Sequence, residues 1–204
     1  MLEHPYCWLC RQSCEDGGVQ ASDLDDLIRR RRTSMLVDKE RPVPSEMVTD
    51  LCDLAQWAPN HKRTWPWRFA VAQGAARARL GDAIADAMAA NGDPPEKVAK
   101  ARSKYLRTPT IVVVGSAPGD TPNRTEENRD SVAAGIEIML LAATAHGLAS
   151  FWSSCPKGAN DTVVELCGFE TGTHITGLIY LGWATSMIEP PNRPRADVHM
   201  IAAG

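Results

Sequence analysis

The run Thr110-Ile111-Val112-Val113-Val114, opened by Pro109, limits what this chain can become more than any other feature. β-Branched side chains without polar alternation suit a strand buried at the centre of a sheet, so other elements have to cover it. Three further segments read as strands. Trp67 to Val71, between Pro66 and Gly74, qualifies by alternation and aromatic content. Leu148 to Ser153 reads as a second buried strand, and Thr173 to Trp183, rich in Ile, Thr, Leu and Tyr, completes the set.

Helical signals lie between them. Ser22, followed by Asp23, Asp25 and Asp26, offers a capping hydroxyl and first-turn carboxylates, and Leu24, Leu27 and Ile28 give an apolar face. That helix runs into Arg29, Arg30, Arg31 and Arg32. A second helix is signalled by Pro44, Ser45 and Glu46 and stops at Pro59, so residues 60–65 are predicted as a loop. Alanine-rich residues 75–90 favour a helix, Pro94 and Pro95 interrupt, and a short helical segment spans Val98 to Tyr105. Residues 115–125 read as a Gly/Pro/Asn loop, Glu127 to His146 as a long helix capped by Gly147, and residues 160–167 as a short helix. The tail from Ser186 is proline-rich and extended. Helices outnumber strands and do not alternate regularly with them, which predicts an α+β layer rather than a doubly wound sheet.

With 204 residues and 44% hydrophobic content, the chain can bury one substantial core. Residues 1–22 lack sustained periodicity and read as an extension ahead of a domain over residues 23–204. A net charge of -3 with mixed signs gives no global reason to expect nucleic acid or an anionic membrane as partner. No apolar run reaches membrane-spanning length and the first residues lack the order of a secretory signal, so the cytoplasm is the expected compartment. Cys52, Cys155 and Cys167 sit in apolar surroundings and read as reduced core residues. Cys7, Cys10 and Cys14, with His4 nearby, have the ligand chemistry of a thiolate-rich Zn site or of a redox thiol, although the usual second ligand pair is missing; an inert arm is the plainer reading.

Four segments in order resemble the nitroreductase family, in particular its short NAD(P)H nitroreductase members. They are Arg29-Arg30-Arg31-Arg32-Thr33-Ser34; Ala58-Pro59-Asn60-His61-Lys62 leading to Pro66-Trp67-Arg68-Phe69; Val132 through His146-Gly147-Leu148 to Phe151-Trp152-Ser153-Ser154; and Gly177-Leu178-Ile179-Tyr180-Leu181-Gly182. The resemblance covers about residues 23–204. It implies an α+β fold around a central, mostly antiparallel sheet flanked by helices, closed as an intertwined homodimer with two FMN sites at the subunit interface, each contacted by both chains. It also implies a ping-pong reaction in which NADPH or NADH reduces the flavin and a small-molecule acceptor, such as a nitro compound or quinone, reoxidises it. The chemistry then sits on flavin N5 and needs no protein nucleophile, in line with the lack of G-x-S-x-G, HExxH, P-loop or strand-linked G-x-G-x-x-G patterns.

Residue by residue, the resemblance assigns Arg31, Arg32 and Thr33 to the flavin phosphate and pyrimidine end, where guanidinium forks fit the chemistry. Without that motif, four arginines read as a solvated helix-terminal cluster. His61 matches a position beside the flavin. Trp65 stands where several relatives have Gln or Arg; it can only stack or donate through its ring nitrogen, so pyrimidine recognition differs here. Trp152, Ser153 and Ser154 match a second flavin-contacting segment, the alternative being a buried tryptophan with two turn serines. Ala142, Ala143, Thr144, Ala145, His146 and Gly147 match a nicotinamide-nucleotide segment, and core packing would choose the same residues. Arg193 and Arg195 in the tail are further phosphate candidates.

Two rival classes predict different behaviour. A flavin-binding or redox-sensing module, with the cysteine arm as its output, binds FMN without steady turnover. A nucleic-acid binder using Arg29 to Arg32 shows salt-dependent affinity and no yellow colour.

Overall fold

The computed structural model describes residues 20–201. Cys7, Cys10 and Cys14, and most of the predicted extension, lie outside them. Among the described residues the helices are α1 (Ala21–Arg30), α2 (Ser45–Ala55), α3 (Ala76–Ala90), α4 (Pro95–Lys104), α5 (Pro122–Ala145) and α6 (Asn160–Cys167); the strands are β1 (Trp67–Gln73), β2 (Thr110–Ser116), β3 (Leu148–Ser153) and β4 (His174–Trp183). None of these helices is long and apolar enough to cross a membrane.

The strands form one antiparallel sheet in the order β1-β2-β4-β3. β2 is buried along its whole length, as its apolar run requires, and its alternating side chains feed two cores. Val112 and Val114 join Trp67, Leu148, Ile179 and Leu181 under α2 and α5. Ile111 and Val113 join Ala72, Leu178 and Tyr180 under α3, α4 and α6. Covering an antiparallel sheet on both faces explains why its central strand loses the half-polar alternation of a one-sided sheet. The fold is the expected α+β layer.

Several boundaries depart from the sequence reading. Ser22 lies inside the first turn of α1; Gln20 takes the N-cap position and no side chain caps it. Pro94 and Pro95 separate α3 from α4 as expected, but Pro95 is already the first residue of α4, ahead of the expected start at Val98, and there the missing N–H costs nothing. The predicted loop at 115–125 is shorter: β2 continues to Ser116, and α5 begins at Pro122 with the Thr121 hydroxyl accepting from the Arg124 N–H. The proline-rich stretch contains a capped helix start. Gly147, at φ +77°, closes α5 as expected.

Gly135 lets α5 approach the core closely. A Cβ there would meet the Ala55 carbonyl oxygen and Trp67 Nε1 at 2.6 Å, so the residue that weakens a helix in isolation allows this helix to seat. A Gly135→Val substitution is therefore expected to destabilise the fold by about 1–3 kcal/mol, lowering the urea midpoint; an unchanged midpoint would contradict the close approach.

Candidate functional site

Two separate groups of side chains lie near the two edge strands of the sheet, one beside β3 and one in the loop that leads into β1. The first begins where α1 ends. Arg31, at the C-cap, leaves helical geometry with ψ 126°. Its side chain is only 18% exposed, and Nε lies 2.9 Å from Glu137 Oε1 on α5. Arg32 turns back on its own helix: its terminal nitrogens donate to the carbonyls of Arg31, at 2.5 Å, and of Arg29. Its Nε is buried with no hydrogen-bond partner among the described residues. The chain then runs along the sheet edge, where Thr33 bridges Ser150 of β3 and the Ser34 N–H donates to the Ser150 carbonyl at 2.9 Å.

The arginine cluster is thus divided. Arg29 pairs with Asp25 and Asp26 in solvent, as the plain reading of a charge run expects. Arg31 and Arg32 are turned inward and half-buried, so the run is no open basic patch. A cleft of about 470 Å³ between α1 and the tail is lined by Asp23, Asp26, Arg29, Arg30, Arg32 and residues 187–190.

On the same edge, β3 presents Trp152, whose indole N–H donates to the Thr176 carbonyl at 3.1 Å while part of the ring stays exposed. Ser153 ends β3 and its Oγ donates to the Ser154 carbonyl at 3.3 Å, so the serines do not form the turn of the plain reading, and the tryptophan is not fully buried. Ala142 to Gly147 form the last turn of α5 and its cap. Ala143 is fully buried in the core and Thr144 Oγ1 donates back to the Leu140 carbonyl, whereas Ala145, His146 and Gly147 are exposed. Packing accounts for the first residues of that segment, and only the last three are open to a ligand. Arg193 and Arg195 lie on the exposed tail, without an ion pair among the described residues.

The second group is the loop between α2 and β1. Residues 60–65 form the expected loop, with a single 3-10 turn at His61–Arg63 inside it and Lys62, Arg63 and Trp65 all at positive φ (60°, 53° and 51°). Non-glycine residues in that region cost on the order of 1–3 kcal/mol each and persist only where surroundings impose them. Asn60 and α5 impose them here. Asn60 Oδ1 accepts the Trp65 N–H at 2.9 Å, its amide donates to Thr64 Oγ1 and Ser131 Oγ, and the Thr64 hydroxyl donates to Asn128 Oδ1 at 2.6 Å. The result displays Trp65, 57% exposed; Trp57, just beyond α2, is 79% exposed.

His61 reaches α5 as well. Its Nδ1 lies 3.1 Å from Glu127 Oε2 and 3.0 Å from an Arg124 nitrogen, which itself donates to Glu127 at 2.5 Å. The hydrogen bond from His61, reinforced by the charge of Arg124, holds the Glu127 carboxyl below the usual carboxylate range.

Sequence reading finds Arg31, Arg32, Thr33, His61, Trp65 and Trp152 but passes over the groups that hold them: Asn60, Arg124, Glu127 and Glu137. One signal is available. Glu137 is the only charged residue between Ser131 and Ala145, and a lone charge in an apolar stretch needs a partner. Burial pushes the thiols of Cys155 and Cys167 up to about 11, and burial with the nearby Asp53 charge pushes Cys52 up to about 12, so these are protonated, structural thiols at neutral pH, as expected. No cluster among the described residues could hold a metal ion.

The nitroreductase family model matches residues 28–183. The chain is 30% identical to YdjA of Escherichia coli strain K12, named as an NAD(P)H nitroreductase, over 78% of this chain and 86% of that protein. Its fold is similar to the crystal structure of a nitroreductase-like protein from Bacillus cereus, with TM-score 0.72 and 26% identity, covering 84% of this chain and 91% of the other. It is also similar to the FMN-dependent nitroreductase NfnB from Mycobacterium smegmatis in complex with NADPH, with TM-score 0.63 and 25% identity over 81% and 89% of the two chains.

The trio on α5 predicts a titration. Because the folded Glu127 carboxyl is held down, its contribution to stability is complete above the ordinary carboxylate value of about 4.3 and is lost as pH falls through the lowered folded value. His61→Ala is expected to move the Glu127 carboxyl up toward the ordinary value in an NMR titration. An unmoved Glu127 would show that His61 is not its partner.

Proposed function

This chain belongs to the nitroreductase family, and from that premise we propose that it works as a homodimer with two FMN sites at the subunit interface, passing electrons from NADPH or NADH to small oxidised organic acceptors such as nitro compounds or quinones. It is an NAD(P)H-dependent flavin oxidoreductase. Residues 23–204 are the flavin-binding domain in this reading, and residues 1–22 an extension outside it.

The observation that carries the assignment is the pair of inward-turned arginines. Arg31 and Arg32 put two half-buried guanidiniums side by side next to the exposed Thr33, with one carboxylate, Glu137, against them, and a phosphate dianion supplies acceptors of the right charge for the donors left over. These residues fit FMN. Arg31, Arg32 and Thr33 would hold its phosphate or pyrimidine end, Trp152 and Ser153 with Ser154 would border its ring, and Arg193 or Arg195 would add charge near the phosphate. When bound, FMN would supply the redox chemistry between NAD(P)H and the acceptor, a ping-pong reaction centred on flavin N5. The protein's share is to bind, orient and set charge. Arginine charge at the flavin's polar end favours the anionic reduced cofactor, while the strained loop fixes His61 and the exposed face of Trp65 at the lip.

A second copy explains what one chain leaves open. The loop holding His61 meets α5 at Glu127 and Asn128, whereas Arg31 meets it at Glu137, ten residues and about 15 Å further along the axis. The two groups also flank opposite edges of the sheet, about three strand spacings or 14 Å apart. α1 buries none of its residues and leaves Leu24 and Ile28 half exposed, and Met187, Val198 and Met200 on the tail are more exposed still. An isologous pair covers such surfaces and joins the loop of one chain to the arginines of the other.

Anaerobic absorbance titration is the test of this reading. NADPH or NADH is expected to bleach bound flavin, and a nitroaromatic or quinone to restore it. A colourless protein that does not take up added FMN would refute the proposal, and bleaching without reoxidation by any acceptor would favour a flavin-binding module.

A further inference from the structure

Arg31 is a half-buried cation at the end of α1, and its partner is a carboxylate on α5. The Glu137 carboxylate lies 2.9 Å from Arg31 Nε, and the pair joins α1 to the middle of α5. Around Glu137 the helix is otherwise apolar, with Ile136, Met139 and Leu140 packed into the core. The acid therefore stands on the flank of a buried helix, at 47% side-chain exposure, where an apolar residue would have served packing better. Its contact approaches the guanidinium from the Nε side, and among the described residues none of the terminal N–H groups of Arg31 donates a hydrogen bond to the protein. Arg32, by contrast, spends its terminal nitrogens on α1 carbonyls and leaves Nε without a partner. The two guanidiniums are thus held by opposite parts, and each keeps free donors.

We propose that Glu137 is a positioning residue for cofactor binding: it holds Arg31 by the Nε side and presents the terminal fork to the phosphate of FMN. This rests on the FMN reading of the site. The alternative roles of a carboxylate at this place are distinct. As a plain structural ion pair it would fasten α1 to α5 and affect every ligand of the site alike. As a repelling charge it would weaken phosphate binding and its removal would tighten it. Preorganisation predicts the opposite sign, because a fork on a long side chain that must be ordered by the ligand binds more weakly than one already fixed.

The decisive comparison is between FMN and riboflavin, which share the ring system and differ in the phosphate. Dissociation constants for both, from quenching of flavin fluorescence, would be measured for the unmodified full-length chain, Glu137→Gln, Arg31→Ala and the double variant. The expected result is that Glu137→Gln weakens FMN by about tenfold, leaves riboflavin unchanged, and has no further effect once Arg31 is alanine. Glu137→Asp, which keeps the charge, should recover part of the loss. Parallel weakening of both flavins, an unchanged FMN constant, or tighter FMN binding would each overturn the proposal. If the unmodified chain binds neither flavin, the FMN reading falls and takes this inference with it, whereas failure in the variant alone leaves that reading standing.

Discussion

Helix α5 crosses the sheet with Gly135 so close to Ala55 and Trp67 that no side chain fits between them, and four contacts of the candidate site are anchored along its length. Glu127 takes His61, Asn128 takes Thr64, Ser131 takes Asn60, and Glu137 takes Arg31. The apolar side of the helix fills the core under α2 while its polar flank distributes fixed points to two distant segments of chain. Shifting α5 along the sheet would move all four anchors together. Close packing sets the position of this helix, and the anchors inherit its rigidity.

Strain is confined to one place. Three exceptions to normal backbone geometry, at Lys62, Arg63 and Trp65, occur within a loop whose polar groups are bonded to Asn60 and α5. Those hydrogen bonds offset the unfavourable dihedrals, and the gain is a large aromatic side chain held out from the surface instead of packed into it. Similar logic applies to Arg31 and Arg32, which the end of α1 turns inward at positions where solvent would be the easier destination.

The sheet and its layers are legible from sequence because burial leaves a strong mark: Pro109 and the run to Val114 place the central strand, and Leu148 to Ser153 matches the observed strand at both ends. Boundaries fail where proline or serine has two meanings. Pro95 and Pro122 start helices ahead of the expected positions, and Ser22 sits inside a turn that it is expected to cap. The motif singles out Arg31 and Arg32, the two arginines that turn inward, but it does not give Glu137 as the partner of Arg31, since that depends on where α1 ends relative to α5. His61 and Trp65 are readable as motif positions, while Glu127, the partner of His61, is not, because a hydrogen bond between residues 66 apart leaves no periodic trace.

The central claim is that each site is assembled from two chains, arginines from one and the 60–65 loop from its partner. Mixed dimers measure this directly. One chain would carry Arg31→Ala with Arg32→Ala and the other His61→Ala with Trp65→Ala, each unable to bind FMN alone. If the halves come from different chains, the mixed dimer concentrates both defects in one site and leaves the other intact, so about half of the normal flavin content and activity returns. If both halves belong to the same chain, every site in the mixture keeps one defect and nothing is recovered, a result that would contradict a site shared between subunits.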